Sequence, residues 1–380
     1  VATRVRTGRN VFDESLARLE SLYREGHRLV ISFSGGKDSG VLLEMAILAA
    51  RHTGCLPVEV VMRDEEVMFP GTYEYAERVA NRKEVNFHWL VANQPIVNVY
   101  NRPQPYFWTF DPLLPPSDWV RQPPNYAQHI DSLNIEHMTI PERFPPPEGK
   151  SLMAVIGMRA SESRGRMYGV FSAKSYVLKP NEQGVRNVWA IYDWSDGDIW
   201  RAIQENKWDY NSAYDVLVRM GVERKNLRIA PPTLNIYGAN LLQVAARAFP
   251  RWFDKVCERL PGVRQVALFG LRAVTPHRRL NESWEECFKR ECITDAPAQW
   301  IRERAERFSN ELLERHAHHS KEPLPQVNNC FTCGYMGSWK SLAMALYNGD
   351  PFSLKARSLP YVEPEFFRKG AGTWNGSPQF

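Results

Sequence analysis

Residues 29–50 constrain the fold more than any other stretch of the chain. Leu29, Val30, Ile31 and Phe33 form a short apolar run of buried-strand type, and it stops abruptly at Ser34-Gly35-Gly36. Val41, Leu42, Met45, Ile47, Leu48 and Ala49 then recur at helical spacing, which predicts a helix starting near Asp38 or Ser39. A strand, a tight glycine turn and a helix N-terminus together make an anion site. The glycines let backbone N–H groups approach phosphate oxygens, and the helix dipole adds positive potential. Lys37 contributes a mobile point charge, and Ser34 and Ser39 contribute hydroxyls. The spacing is not that of the G-x-x-x-x-G-K-[ST] loop. An ordinary strand–helix turn that happens to hold two glycines is the alternative reading.

Further apolar runs place the motifs. Val11, Phe12, Leu16, Leu19, Leu22 and Tyr23 share one face of a helix ending at Gly26. Residues 57–62 read as a second parallel strand running into Asp64-Glu65-Glu66, and residues 85–91 as a third. Ligands of doubly wound sheets sit outside the carboxyl ends of strands, so Asp64 and Glu65 are expected beside the loop, holding Mg²⁺ or a ribose hydroxyl. The other reading is a solvated acidic turn. Residues 101–149 form a Pro- and aromatic-rich insertion in which Trp108, Trp119 and Arg121 either stack on a base or anchor an irregular loop. Leu152–Ile156 is a further buried strand, delivering Gly157, Arg159, Glu162, Arg164 and Arg166. Ser195 or Asp196 should cap the helix that carries Ile199, Trp200 and Ile203. The pattern is α/β: a doubly wound, mostly parallel sheet.

Ser34-Gly-Gly-Lys-Asp-Ser39 resembles the PP-loop signature of the ATP pyrophosphatases. The resemblance implies an adenine nucleotide alpha-hydrolase-like fold and cleavage of ATP between its α and β phosphates, usually to adenylate a substrate, with Mg²⁺. Asp64-Glu65-Glu66 followed by Pro70-Gly-Thr72 is similar to the segment after the second strand of the PAPS (3′-phosphoadenylyl sulfate) reductases, although Glu65 and Glu66 stand where those carry Thr and Gly. Gly157-Met-Arg159 resembles the second family signature. By this resemblance Lys37, Asp38 and Arg159 carry the chemistry. Ser34, Gly35, Gly36, Lys37, Asp38, Ser39, Asp64, Glu65, Gly157, Arg159, Glu162 and Arg164 hold the nucleotide and its acceptor. The aromatic insertion is similar to that of a PAPS-reductase-like subgroup often encoded beside ParB-like proteins and related to DNA phosphorothioation enzymes. A ParB-like partner and a nucleic acid are therefore the implied partners. Sulfur transfer or nucleic-acid modification is the implied outcome. A PAPS reductase proper and a nucleotide-sensing regulatory subunit are the alternatives. The reductase reading is weakened because residues 372–380 lack a Glu-Cys-Gly motif.

The pattern match covers roughly residues 25–230, and Pro231-Pro232 marks the expected boundary between a domain of 1–230 and a smaller, mainly helical one of 231–380. In the latter, Cys287-x4-Cys292 and Cys330-x2-Cys333-Gly334 are the informative residues. Four cysteines in two close pairs suit tetrahedral zinc or a [4Fe–4S] cluster, with His316, His318 and His319 as substitutes and unpaired thiols as the other reading. Six cysteines in 380 residues together with phosphate chemistry suggest a cytoplasmic protein, and no stretch has the length of a membrane span. A net charge of +5 permits a nucleic-acid partner without requiring one. Nothing in the sequence sets the oligomeric state.

Overall fold

Asn10 Oδ1 accepts from Phe12 N–H at 2.9 Å and so starts helix α1 (Val11–Arg24). The computed structural model describes residues 8–132, 134–224, 227–230 and 238–368. Strand β1 (Arg28–Phe33) follows α1, then helix α2 (Lys37–Thr53), strand β2 (Val58–Arg63), helix α3 (Thr72–Ala80) and strand β3 (Val85–Val91). A short antiparallel pair, β4 (Pro95–Val97) and β5 (Tyr106–Trp108), precedes β6 (Gln128–His129) and helix α4 (Ile135–Met138). After β7 (Leu152–Ile156) come α5 (Arg164–Ala173), β8 (Val177–Pro180), β9 (Arg186–Val188), α6 (Asp196–Asn206) and α7 (Ala213–Arg219).

Seven strands make one sheet in the order β6-β3-β2-β1-β7-β9-β8, parallel except where β8 meets β9. Alternate side chains go to opposite faces, as the two-residue strand period demands. Leu29, Ile31 and Phe33 pack with α1 and α2 on one face, whereas Val30, Val61, Leu90 and Ala154 pack with Met138 and Phe144 on the other. Burial on both faces explains why these strands read as continuous apolar runs. The order of connection reverses at β1: β2 and β3 lie on one side, β7 on the other. That reversal is a topological switch point, and it opens a crevice at the carboxyl ends of β1 and β7.

The chain resolves into two units. Val1–Gln94 and Phe110–Ala230 form one; Pro95–Thr109 and Pro231–Phe380 form the other. The stretch 101–149 read from sequence as a single insertion is therefore divided after Thr109, its β5 clustering with the helical unit together with the preceding β4. Arg121 does not wait for a base: it lies 3.6 Å over the Tyr73 ring and pairs with Glu77. The second unit contains α8 (Ala239–Ala248), α9 (Pro250–Arg259), α10 (Val263–Phe269), α11 (Trp284–Phe288), α12 (Gln299–Ala317), α13 (Trp339–Leu346) and α14 (Pro364–Arg368). A π-helical turn over Lys289–Thr294 follows α11 directly. Arg304 of α12 is fully buried and donates to the carbonyls of Gly349, Asp350 and Pro360. Its burial lowers the guanidinium pKa to about 10. The Pro231-Pro232 boundary and the C-terminal segment 369–380 lie outside the described residues.

Candidate functional site

The turn between β1 and α2 is held from three directions. Gly35 has φ +69°, and a Cβ on it would fall 2.5 Å from Thr72 Cγ2, so only glycine fits against the start of α3. Asn211, fully buried, donates to Gly35 O at 3.1 Å and to Thr72 Oγ1 at 2.8 Å. The Lys37 N–H donates to Tyr214 Oη at 3.0 Å. Ser39 Oγ donates to Gly36 O at 3.0 Å and accepts from Ser34 N–H at 3.1 Å. A hydroxyl has one proton, so Ser39 braces the loop, and the exposed Ser34 hydroxyl is the donor across the 3.0 Å Ser34–Ser39 contact.

At the neighbouring strand end, Gly157 has the same steric logic: a Cβ there would lie 3.1 Å from Ser39 N. The close approach is of β7 to the start of α2. It brings Arg159 to the loop. Arg159 Nε lies 2.6 Å from Asp38 Oδ1, and one terminal nitrogen lies 3.6 Å from Asp196 Oδ1. Lys37 Nζ lies 3.0 Å from Asp38 Oδ2 and 3.1 Å from Asp196 Oδ1. Two cations and two carboxylates thus form a closed quartet at the switch point. Lys37 and Arg159 are buried, and buried charges persist only when paired and hydrogen-bonded. The Arg159–Asp38 contact is close but not aligned as a hydrogen bond. Arg159 is also steadied by Ser161 Oγ at 3.1 Å, and its N–H donates to Glu162 Oε2 at 3.2 Å. Glu162 further pairs with Arg166, and Arg164 begins α5.

The acidic run after β2 turns inward. Asp64 accepts from Trp89 Nε1 at 2.9 Å, from Glu66 N–H at 2.9 Å and from Tyr73 Oη at 3.3 Å, so both its oxygens are committed. Burial drives this carboxyl above its usual range despite those donors. Burial also raises Glu65, against its partner Arg63. Glu66, at φ +63°, accepts from Phe110 N–H at 2.7 Å and Val120 N–H at 3.1 Å, tethering the segment beyond the second unit's hairpin residues.

In the helical unit the structure brings Cys330 and Cys333 to His316 and His319, with all four donor atoms within 4.8 Å of one another. Cys287 and Cys292, expected as ligands, are fully buried elsewhere in that unit's core. Burial lifts the Cys287 thiol to about 11, and Cys292 Sγ faces Ala343 O at 3.9 Å. Sequence reasoning missed Asp196, Asn211 and Tyr214 as parts of the loop. Only the capped helix start at Ser195 pointed toward the first of them.

Residues 28–105 match the model of the phosphoadenosine phosphosulfate reductase domain. The matched stretch runs from β1 through β4 and contains the glycine turn, so the likeness to that domain lies mainly in the first unit. Uncharacterized protein YbdN of Escherichia coli is 24% identical over 281 residues, 68% of each chain. Uncharacterized protein MJ0973 of Methanocaldococcus jannaschii is 24% identical over 247 residues, 63% of this chain and 51% of that protein. Among solved structures, Candida glabrata FMN adenylyltransferase with FMN and an ATP analogue aligns at 13% identity and TM-score 0.36, over 54% of this chain and 58% of that one. Candida auris PAPS reductase in a phosphate complex aligns at 12% identity and TM-score 0.30, over 61% of this chain and 98% of that one. No helix among the described residues is long and apolar enough to cross a membrane.

Proposed function

We propose that the chain is an ATP-dependent PP-loop enzyme that cleaves ATP between its α and β phosphates, transferring the AMP moiety to an acceptor and releasing pyrophosphate, with AMP leaving when the adenylated acceptor is later attacked. An acceptor oxygen attacks the α-phosphorus, the bond from that phosphorus to the α–β bridging oxygen breaks, and pyrophosphate leaves with the electron pair. Negative charge builds on the leaving group, where preformed cations stabilise it most effectively. The quartet of Lys37, Arg159, Asp38 and Asp196 carries this reading, because it presents two buried cations on adjoining strand ends beside a glycine turn and a helix N-terminus. A polyphosphate would take over as counter-ion from the carboxylates, leaving the cations in place. First-turn N–H groups of α2 beyond that of Lys37, which Tyr214 already holds, would add donors.

Asp64 is a poor Mg²⁺ ligand here, its oxygens being committed to Trp89, Tyr73 and the backbone. Asp38 and Asp196 are the carboxylates beside the loop that would hold Mg²⁺, which when bound neutralises phosphate charge. We assign the acceptor, from the resemblance, to sulfur transfer or nucleic-acid modification, with a ParB-like protein as the implied partner. The mild positive charge is compatible with a nucleic acid. A binding-only sensor is the second reading, since a protein that binds ATP without turnover would keep Lys37, Asp38 and Arg159 in the same quartet. The reductase alternative turns on a C-terminal cysteine motif, and segment 369–380 lies outside the described residues.

Pyrophosphate release from ATP, followed with and without nucleic acid, tests the proposal. Lys37→Ala and Arg159→Ala should each abolish it and leave the far-UV spectrum unchanged. Normal release in either variant would remove the quartet from the chemistry. ATP binding with no release under any condition would leave the sensor.

A further inference from the structure

We propose that His316, His319, Cys330 and Cys333 form a closed tetrahedral zinc site that is structural, and that Cys287 and Cys292 take no part in it. The four side chains come from separated places: His316 from the last turn of α12, His319 just beyond that helix, and the two cysteines from the turn that precedes α13. His316 Nδ1 lies 3.3 Å from Cys333 Sγ; His319 Nε2 lies 3.4 Å from Cys330 Sγ and 3.5 Å from Cys333 Sγ. Zinc bonds of about 2.0–2.1 Å to nitrogen and about 2.3 Å to sulfur, set at tetrahedral angles, require nitrogen–sulfur edges of about 3.6 Å. These three edges need only a few tenths of an ångström of adjustment to receive the ion, and all four donor atoms lie within 4.8 Å of one another.

Two further features point to a metal rather than to a chance hydrogen-bonded cluster. His316 Nε2 is 3.0 Å from Glu322 O, so it carries the proton and donates it to that carbonyl. The Nδ1 lone pair is then directed at the site, which is the outer-shell arrangement of metal-bound histidines. The cysteine turn is also built tightly. Gly334, at φ +71°, donates its N–H to Cys330 O at 3.0 Å, and Cys330 N–H donates to Gly337 O at 2.8 Å. A Cβ on Gly337 would fall 2.8 Å from Cys333 Cβ, so the chain closes on itself around the sulfurs.

The donor set chooses the ion. Imidazole and thiolate together disfavour Mg²⁺ and Ca²⁺, which take oxygen, and two cysteines are too few for a [4Fe–4S] cluster. Four protein ligands leave no open position, which separates a structural zinc from a catalytic one. Residues 318–338, between α12 and α13, contain only a single 3₁₀ turn, at Gly334–Met336. The ion would clip this stretch to the end of α12, supplying order that the local sequence does not.

The test is metal analysis of the full chain as purified, followed by two sets of variants. About one zinc per chain is expected in the wild type and in Cys287→Ser and Cys292→Ser. Essentially none should remain in Cys330→Ser or His319→Ala. If those variants fail to fold, cobalt(II) substitution of the wild type decides: intense tetrahedral visible bands with thiolate charge transfer support the site, and a weak octahedral spectrum overturns it. Folded wild type without zinc, iron and sulfide in its place, or zinc lost with Cys287 and kept without Cys330, also overturns it. None of these readouts depends on ATP turnover, so the zinc site can fail while the proposed enzymatic function stands, and the reverse.

Discussion

Gly35→Ala should loosen the whole nucleotide loop, and Gly36→Ala should not. At Gly35 the alanine must adopt φ +69°, which costs an L-residue about 1–2 kcal/mol. Its Cβ also meets Thr72 Cγ2 at 2.5 Å. Thr72 is fully buried and its hydroxyl is held by Asn211, so the methyl cannot swing away without breaking that bond. Overpacking of this kind adds about 1–3 kcal/mol, for a total of about 2–5 kcal/mol. Gly36 is already extended at φ −83° and ψ 161°, and a Cβ there meets Ser34 Oγ at 3.4 Å and Tyr214 Oη at 3.5 Å, both ordinary contacts. Hydrogen–deuterium exchange read by peptide mass separates β1 and α2 from the helical unit. Opening of those elements should speed up about thirty-fold or more in Gly35→Ala, at about 1.4 kcal/mol per decade, and less than about three-fold in Gly36→Ala. Equal exchange in the two variants would refute the claim that Thr72 and the positive φ, rather than the presence of glycine as such, define the loop.

Asp196→Asn removes one of two anions from the quartet and should tighten binding of free pyrophosphate several-fold by calorimetry; weaker binding would mean that Asp196 serves mainly to position Lys37. Glu59 is buried, and although burial alone would raise its pKa, the hydrogen bonds from His88 and Asn86 win and hold it below the ordinary 4.5. A depressed carboxylate contributes stability above its unfolded pKa and loses it as pH falls through the folded value. Thermal melts of Glu59→Gln should therefore lose the part of the acid-side decline that wild type shows below about pH 4.5, and an identical decline in both would rule Glu59 out as its source.

The sequence made the strand–loop–helix plain because its evidence is local: apolar spacing, two glycines, and a helix start within a dozen residues. Arg159 was legible for the same reason, as a motif at a strand end. Asp196, Asn211 and Tyr214 were not, since what makes them part of the loop is a tertiary contact that no spacing encodes. Asp64 misled for a related reason. A carboxylate at a strand end suggests an exposed ligand, but Trp89 and Tyr73 close over it and consume its acceptors. The cysteines misled in the opposite direction. Pair spacing gave Cys287-x4-Cys292 the look of a half-site, whereas Cys287 on α11 and Cys292 in the π-helical turn that follows are both buried and stand outside the cluster of His316, His319, Cys330 and Cys333.

Asn211 has a bearing on how the molecule comes into being. The loop it fastens lies 176 residues earlier in the chain. At about 5–20 residues per second, a growing polypeptide would carry an unfinished phosphate cradle for about 10–35 s before the asparagine that completes it is made. During that interval the glycine turn has its sequence but not its anchor, and a nascent chain cut short before Asn211 would display the motif without the rigidity that makes it a binding site. Completion of the turn therefore waits on a residue made near the end of the first unit.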